Sequence, residues 1–165
     1  MGIITRVRKK LKDFDNTTPF FSLDGKVKRC KVVDVYDGDT VKVVFYTKGG
    51  WYRWNIRMYG YDAPEKRLPK NKYTDDQMIY LRSLERDATN YIKELILDKI
   101  IYIKCGEFDK YGRLLGLLYL KKKHVKKGYE KSVNKMMVNK GYGYEYFGGT
   151  KLDEPFLKQT LDHGL

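Results

Sequence analysis

"CKVVDVYDGDTVKVVFYTKGGWYRWNIRMYGYD", residues 30–62, decides the fold. Three runs rich in β-branched and aromatic residues are interrupted twice by turn chemistry, first at Asp37-Gly38 and then at "TKGG", residues 47–50. Apolar alternation between short glycine turns predicts three antiparallel strands in a meander. Side chains alternate along a strand, so Trp54, Ile56 and Met58 fall on one face of the third run while Arg53, Asn55 and Arg57 fall on the other.

Downstream, "DAPEKRLPKNK" contains prolines that cannot continue a central strand. Apolar residues then recur at intervals of three and four, from Met78 through Leu81, Ala88 and Ile92 to Ile96, which predicts a helix over residues 75–97. "KIIYIKC" reads as a fourth strand, "EFDKYGR" as a tight loop, "LLGLLYL" as a fifth strand and "KKKHVKKG" as an exposed loop. "SVNKMMVNKG" has Ser132 to cap a short helix and Gly141 to stop it, and "DEPFLKQTLDHG" suits a last helix with Pro155 in its first turn. The order predicts a mainly β fold of OB type: a five-stranded barrel, closed or nearly so, with about three α-helices and one of them inserted after the third strand. Residues 29–165 are taken as that domain, and residues 1–28 as a basic N-terminal extension.

The 165 residues carry 34 Lys+Arg against 21 Asp+Glu, a formal charge of +13, which points to a polyanionic partner. The 15 tyrosines interleaved with lysine suit a surface that stacks on bases and neutralises phosphates. The N-terminus lacks the apolar core of a signal peptide and nothing later is long enough to span a bilayer, so the expectation is an intracellular monomer without stable membrane association. Cys30 and Cys105 have neither CxxC nor zinc spacing, which predicts two free buried thiols, with a disulfide as the alternative. His124 and His163 stand in no motif, which argues against histidine-based hydrolysis.

Four features stand out by residue type: Asp37 with Asp39, Asp62 with Glu65 in "DAPE", Arg57, and Arg113 in "DKYGR". Singly, each has a plain alternative. Asp-Gly is a favoured hairpin turn, Asp62 can initiate a turn, and Glu65 beside Lys66 and Arg67 can form a surface ion pair. Together, "DGDTV", "IRMYGYDAPE", "DKYGR" and "MMVNKGYGY" resemble, in order and register over about residues 29–147, the staphylococcal nuclease (thermonuclease) family.

The resemblance implies a calcium-dependent phosphodiesterase acting on DNA, RNA or both with little sequence preference, preferring single strands and leaving 3′-phosphates. It implies Asp39, Asp62 and the main-chain carbonyl of Ala63 as metal ligands, where relatives usually carry Thr at the position of Ala63. Glu65 would position or deprotonate the attacking water, and Arg57 and Arg113 would hold the phosphate with planar charged forks. Lys110 and Tyr111, with Tyr144 or Tyr146, would line the nucleotide pocket, while Asp37 is assigned to the turn. The rival reading is a catalytically silent OB-type module that binds nucleic acid. A basic membrane-surface protein, argued only from the N-terminal stretch, is the third.

Overall fold

A computed structural model describes residues 11–69 and 71–149. Its centre is a closed barrel of five strands, β1 (Val27–Val35), β2 (Thr40–Thr47), β3 (Gly50–Met58), β5 (Ile100–Phe108) and β6 (Leu114–Tyr119), in the order β1-β2-β3-β6-β5. Neighbours are antiparallel except β3 and β6, which run parallel and close the barrel. The inward positions read from the alternation fill its interior: Val32, Val41, Val43, Phe45, Ile56, Ile103, Leu114 and Leu118 are fully buried.

Helix α1 (Asp75–Ile96) covers the barrel with Ala88, Ile92 and Ile96. At its start the side-chain oxygens of Thr74 and Gln77 each accept from the other's main-chain N–H, a capping box that satisfies two otherwise unpartnered N–H groups. α2 (Lys122–Val125) is a single turn within the predicted exposed loop. α3 (Val133–Asn139) is capped by Ser132 as expected. Asn134, fully buried on α3, donates to the carbonyls of Tyr59 and Gly116 at 2.8 and 2.9 Å and accepts from Leu118 N–H at 3.0 Å. That side chain ties α3 to β6 and to the turn after β3.

Several elements differ from the sequence expectation. β1 starts at Val27, and Leu23 ahead of it is buried with the barrel residues. The boundary expected after residue 28 therefore falls inside a strand. β5 runs on to Phe108 past a register shift between Cys105 and Phe108, which shortens the following loop to residues 109–113. A second sheet, β4 (Gly60–Asp62) paired with β7 (Tyr144–Tyr146), was not anticipated. Three residues are too few to show periodicity, and this pairing is fixed by tertiary contact. The helix expected in "DEPFLKQTLDHG" and most of the basic N-terminal stretch lie outside the described residues, apart from a 3₁₀ turn at Leu11–Asp13.

Cys30 and Cys105 are unbonded to each other and buried, and burial pushes their thiols up to about 12 and about 11. Neither is a nucleophile at neutral pH. Among the described residues no helix is long and apolar enough to cross a membrane.

Candidate active site

The β1–β2 turn is the starting point. Asp37 accepts from the N–H of Asp39 at 3.2 Å, and Tyr36 N–H donates to Thr40 at 2.9 Å, so Asp37 serves the turn. Gly38 is required for space: a Cβ there would lie 2.8 Å from that of Ala63 and 3.2 Å from that of Ala88. The turn is thus pressed between the "DAPE" loop and α1, which aims Asp39 inward.

Asp39, 9% exposed, accepts from Thr40 Oγ1 at 3.0 Å and from Ala63 N–H at 3.1 Å, and its Oδ2 lies 3.0 Å from Arg57 Nη1. Arg57 on β3 stands opposite Thr40 of β2, on the outward face predicted for it, yet it is only 9% exposed, enclosed by Tyr61 and Asp62 of β4 and by Asp39. Its other terminal nitrogen pairs with Asp62, 3% exposed on β4, while Nη1 also donates to the carbonyl of Tyr61 at 2.9 Å. One guanidinium therefore pairs with both aspartates. Asp62 further accepts from the Tyr144 hydroxyl at 3.0 Å. That contact depends on Gly143, where a Cβ would collide with the Tyr61 ring and the Asp62 carbonyl.

The facing wall is the 109–113 loop. Asp109 Oδ1 accepts from the N–H groups of Tyr111 and Arg113, both at 2.9 Å, and its Oδ2 pairs with Arg113 Nε at 2.7 Å. Arg113 Nη1 reaches Thr40 Oγ1 at 3.5 Å, so the Thr40 hydroxyl stands between Asp39 and Arg113. Tyr111 is 72% exposed, with Lys110 Nζ 5.0 Å and the Arg113 guanidinium carbon 5.6 Å from its ring centre.

Between these walls lies a cleft of about 870 Å³ that brings together Asp39, Arg57, Ala63, Glu65, Lys110, Tyr111, Arg113 and Tyr146. Glu65 is exposed there, on the loop after β4. Two predicted site residues stand behind the wall: Asp62 supports Arg57, and Tyr144 turns its hydroxyl to Asp62. Thr40 and Asp109 were not singled out from the sequence. Their signals are adjacency to Asp39 and the four-residue spacing from Asp109 to Arg113.

Burial pushes the Asp39 carboxyl up to about 7; Arg57 opposes the rise, while Asp37 and Asp62 add to it. Such a carboxylate is stabilised by added positive charge. Among the described residues no three His, Cys, Asp or Glu side chains cluster as a ready metal cage. Two buried carboxylates beside a main-chain segment nevertheless form a hard oxygen donor set, which fits a divalent ion that takes only a few protein ligands and keeps water or phosphate for the rest.

At Asp109 burial raises the pKa, but hydrogen bonds from Arg113 and Tyr111 outweigh it and hold the carboxyl below its ordinary value. A depressed carboxylate stabilises the fold above its unfolded pKa, and that contribution is lost as pH falls through the folded one. Asp109→Asn is therefore expected to lose about 1–2 kcal/mol at neutral pH, with the gap from wild type closing below about pH 4. Urea midpoints across pH check this; a gap that is unchanged at pH 3 contradicts it.

Residues 55–160 match the family described as Staphylococcal nuclease homologue, a span that takes in Arg57, Asp62, Glu65 and Arg113. The chain belongs to the staphylococcal nuclease homologue family. Asp39 and its turn lie ahead of the matched span and join the family's residues through Arg57. Members of the staphylococcal nuclease homologue family generally depend on a divalent metal. Among curated relatives, an uncharacterized protein of Methanocaldococcus jannaschii is 28% identical over 141 residues, covering 77% of this chain and 63% of its own. Proteins of Escherichia coli and Escherichia coli O157:H7, each named an uncharacterized endonuclease, are 29% identical over 116 residues, covering 70% of this chain and 60% of theirs. The chain thus spans less than two thirds of the length of these relatives.

Proposed function

We propose that the chain is a divalent-metal-dependent nuclease that hydrolyses phosphodiester bonds of DNA, RNA or both with little sequence preference. The observation that carries this reading is the cleft's pairing of opposite charges: Asp39, Arg57 and Glu65 on one wall face Arg113 and Lys110 on the other. Phosphodiester hydrolysis needs both signs, because a cation and guanidinium groups must meet the phosphate while a carboxylate handles water.

Asp39 and Asp62, with the main-chain carbonyl of Ala63, would hold the ion, and we take calcium as the leading candidate. When bound, the ion would polarise a non-bridging phosphate oxygen. Ala63 lacks the hydroxyl of the Thr that, by the family resemblance, is usual at this position, but keeps the carbonyl. Glu65, exposed to the cleft, takes a proton from the attacking water, whose oxygen bonds to phosphorus. Arg57 and Arg113 present forks to the charge that builds there, a role lysine fills less well because it offers a point charge. The bond from phosphorus to the 5′-oxygen breaks, that oxygen takes a proton from solvent, to which Glu65 returns the one it took from water, and a 3′-phosphate remains on the other fragment. Tyr111 and Tyr146 offer ring faces to exposed bases, which favours single strands. Tyr144 acts through its hydrogen bond to Asp62.

Incubation of single- and double-stranded DNA and of RNA with calcium, magnesium or a chelator tests the proposal. Cleavage is expected only with a divalent ion, fastest on single strands, with 3′-phosphate ends. Binding without cleavage under every divalent ion would instead support a silent nucleic-acid-binding module.

A further inference from the structure

The outward face of the β2–β3 hairpin carries chemistry that the cleft does not use. Alternate residues of β3 point outward, and their partners across the ladder pair Trp51 with Tyr46, Arg53 with Val44, and Arg57 with Thr40. Trp51 is 71% exposed and Tyr46 52%, with their rings edge to face and centroids 5.5 Å apart. Core packing does not explain an indole displayed to that extent. Arg53 is exposed and makes no ion pair or side-chain hydrogen bond among the described residues. On the other side of Val44 stands Lys31 of β1, in a 3.3 Å pair with the largely exposed Asp98. One sheet face therefore carries two stacking rings at one end, three cations in the middle, of which Lys31 pairs with Asp98 and Lys42 with Asp34, and Arg57 at the cleft. Arg57 lies six positions along the strand from Trp51, about 20 Å.

We propose that this face is a track for single-stranded nucleic acid, which runs from the cleft past Arg53 and stacks bases on Trp51 and Tyr46. The track rests on the nuclease reading for what occupies the cleft. It joins phosphate-neutralising groups to base-stacking ones along one face, the combination that unpaired strands bind without sequence preference. A duplex keeps its base faces stacked internally and offers none to Trp51. A bilayer surface fits less well, because Arg53, Asn55 and Lys42 make the centre of the face polar rather than apolar. Charge favours a polyanion, since the chain carries +13.

The test measures binding of a dinucleotide and of an oligothymidylate of about 12 nucleotides, within the range one such fold occupies. Chelator is present so that strands stay intact; fluorescence anisotropy of 5′-labelled strands reads the affinity in every variant, and tryptophan emission is followed in wild type. The long strand is expected to quench the emission, and Trp51→Ala is expected to cut the preference for long over short strands by roughly ten-fold, in keeping with the loss of one stacked base. Arg53→Ala is expected to lower the same preference and weaken its salt dependence. Ile79→Ala, on the exposed side of α1, serves as the control and leaves the preference unchanged.

An undiminished preference in both Trp51→Ala and Arg53→Ala overturns the track. So does an emission that answers vesicles of phosphatidylserine and phosphatidylcholine but not the oligonucleotide, or a dimer in sedimentation that Trp51→Ala dissociates. Trp51-dependent binding by a protein that cuts nothing with any divalent ion supports the track and refutes the nuclease. Cleavage with an unaffected length preference refutes the track alone.

Discussion

Arg57→Ala is expected to lower kcat by about 10³-fold or more, the scale on which a guanidinium stabilises phosphoryl transition states. The same substitution is expected to cost about 3–5 kcal/mol of folding stability, because it strands two buried carboxylates without their shared counter-charge. Asp39 and Asp62 are 9% and 3% exposed, and Arg57 reaches both. The stability loss should shrink as pH falls. With Arg57 removed, Asp39 loses the stronger of the two neighbours that oppose its upward shift and keeps only the Ala63 N–H, so its folded pKa lies still further above the unfolded value. A raised carboxyl pKa destabilises the fold at high pH and ceases to do so below the unfolded value, near 4. Thermal melts of wild type and variant between pH 4 and 8 check this part. A variant as stable as wild type at pH 8 would show that the pair is not the structural centre of the site.

Arg113→Ala is expected to lower kcat/KM by about 10²–10³-fold, in line with removal of one preorganised donor to a developing anion. Its effect on stability should be small. Arg113 is less buried than Arg57, and its partner Asp109 keeps the main-chain hydrogen bonds from Tyr111 and, whatever side chain follows, from residue 113. The contrast between the two arginines separates catalysis from folding: one variant loses both, the other mainly activity. Arg113→Lys should recover little of the rate, since an ammonium cannot hold Asp109 through Nε and face the cleft with a fork at once. Steady-state kinetics with urea denaturation on the same preparations read both quantities. Full activity in Arg113→Lys would mean that charge alone is needed at this position.

The barrel was legible because its core residues alternate. Val41, Val43 and Phe45 on β2 and Ile56 and Met58 on β3 are buried as the pattern required. α1 was legible for the same reason at a different period, from Leu81 to Ile96. The β4–β7 sheet was not, since the pairing of Asp62 with Tyr144 joins two three-residue segments far apart in the chain. That pairing also decides what Tyr144 does, so its hydroxyl contact with Asp62 could not be read from the tyrosine-rich stretch alone.

The candidate site residues stand out in the sequence as acids and arginines near strand ends, and their grouping as one site followed from the family resemblance. What the sequence left open was which acid meets which arginine. Arg57 takes both Asp39 and Asp62, while Arg113 is held by Asp109, a residue that reads as part of a loop. Gly38 likewise reads as a hairpin glycine, and its close approach to Ala63 and Ala88 appears only when three elements meet.

The most direct test is one kinetic series: hydrolysis of a single-stranded oligonucleotide by wild type, Arg57→Ala and Arg113→Ala, each with calcium, magnesium or chelator. The cleft account predicts cleavage by wild type only with a divalent ion, and rates at least about 10²-fold lower in both variants. Undiminished cleavage in chelator, or by either arginine variant, would contradict it.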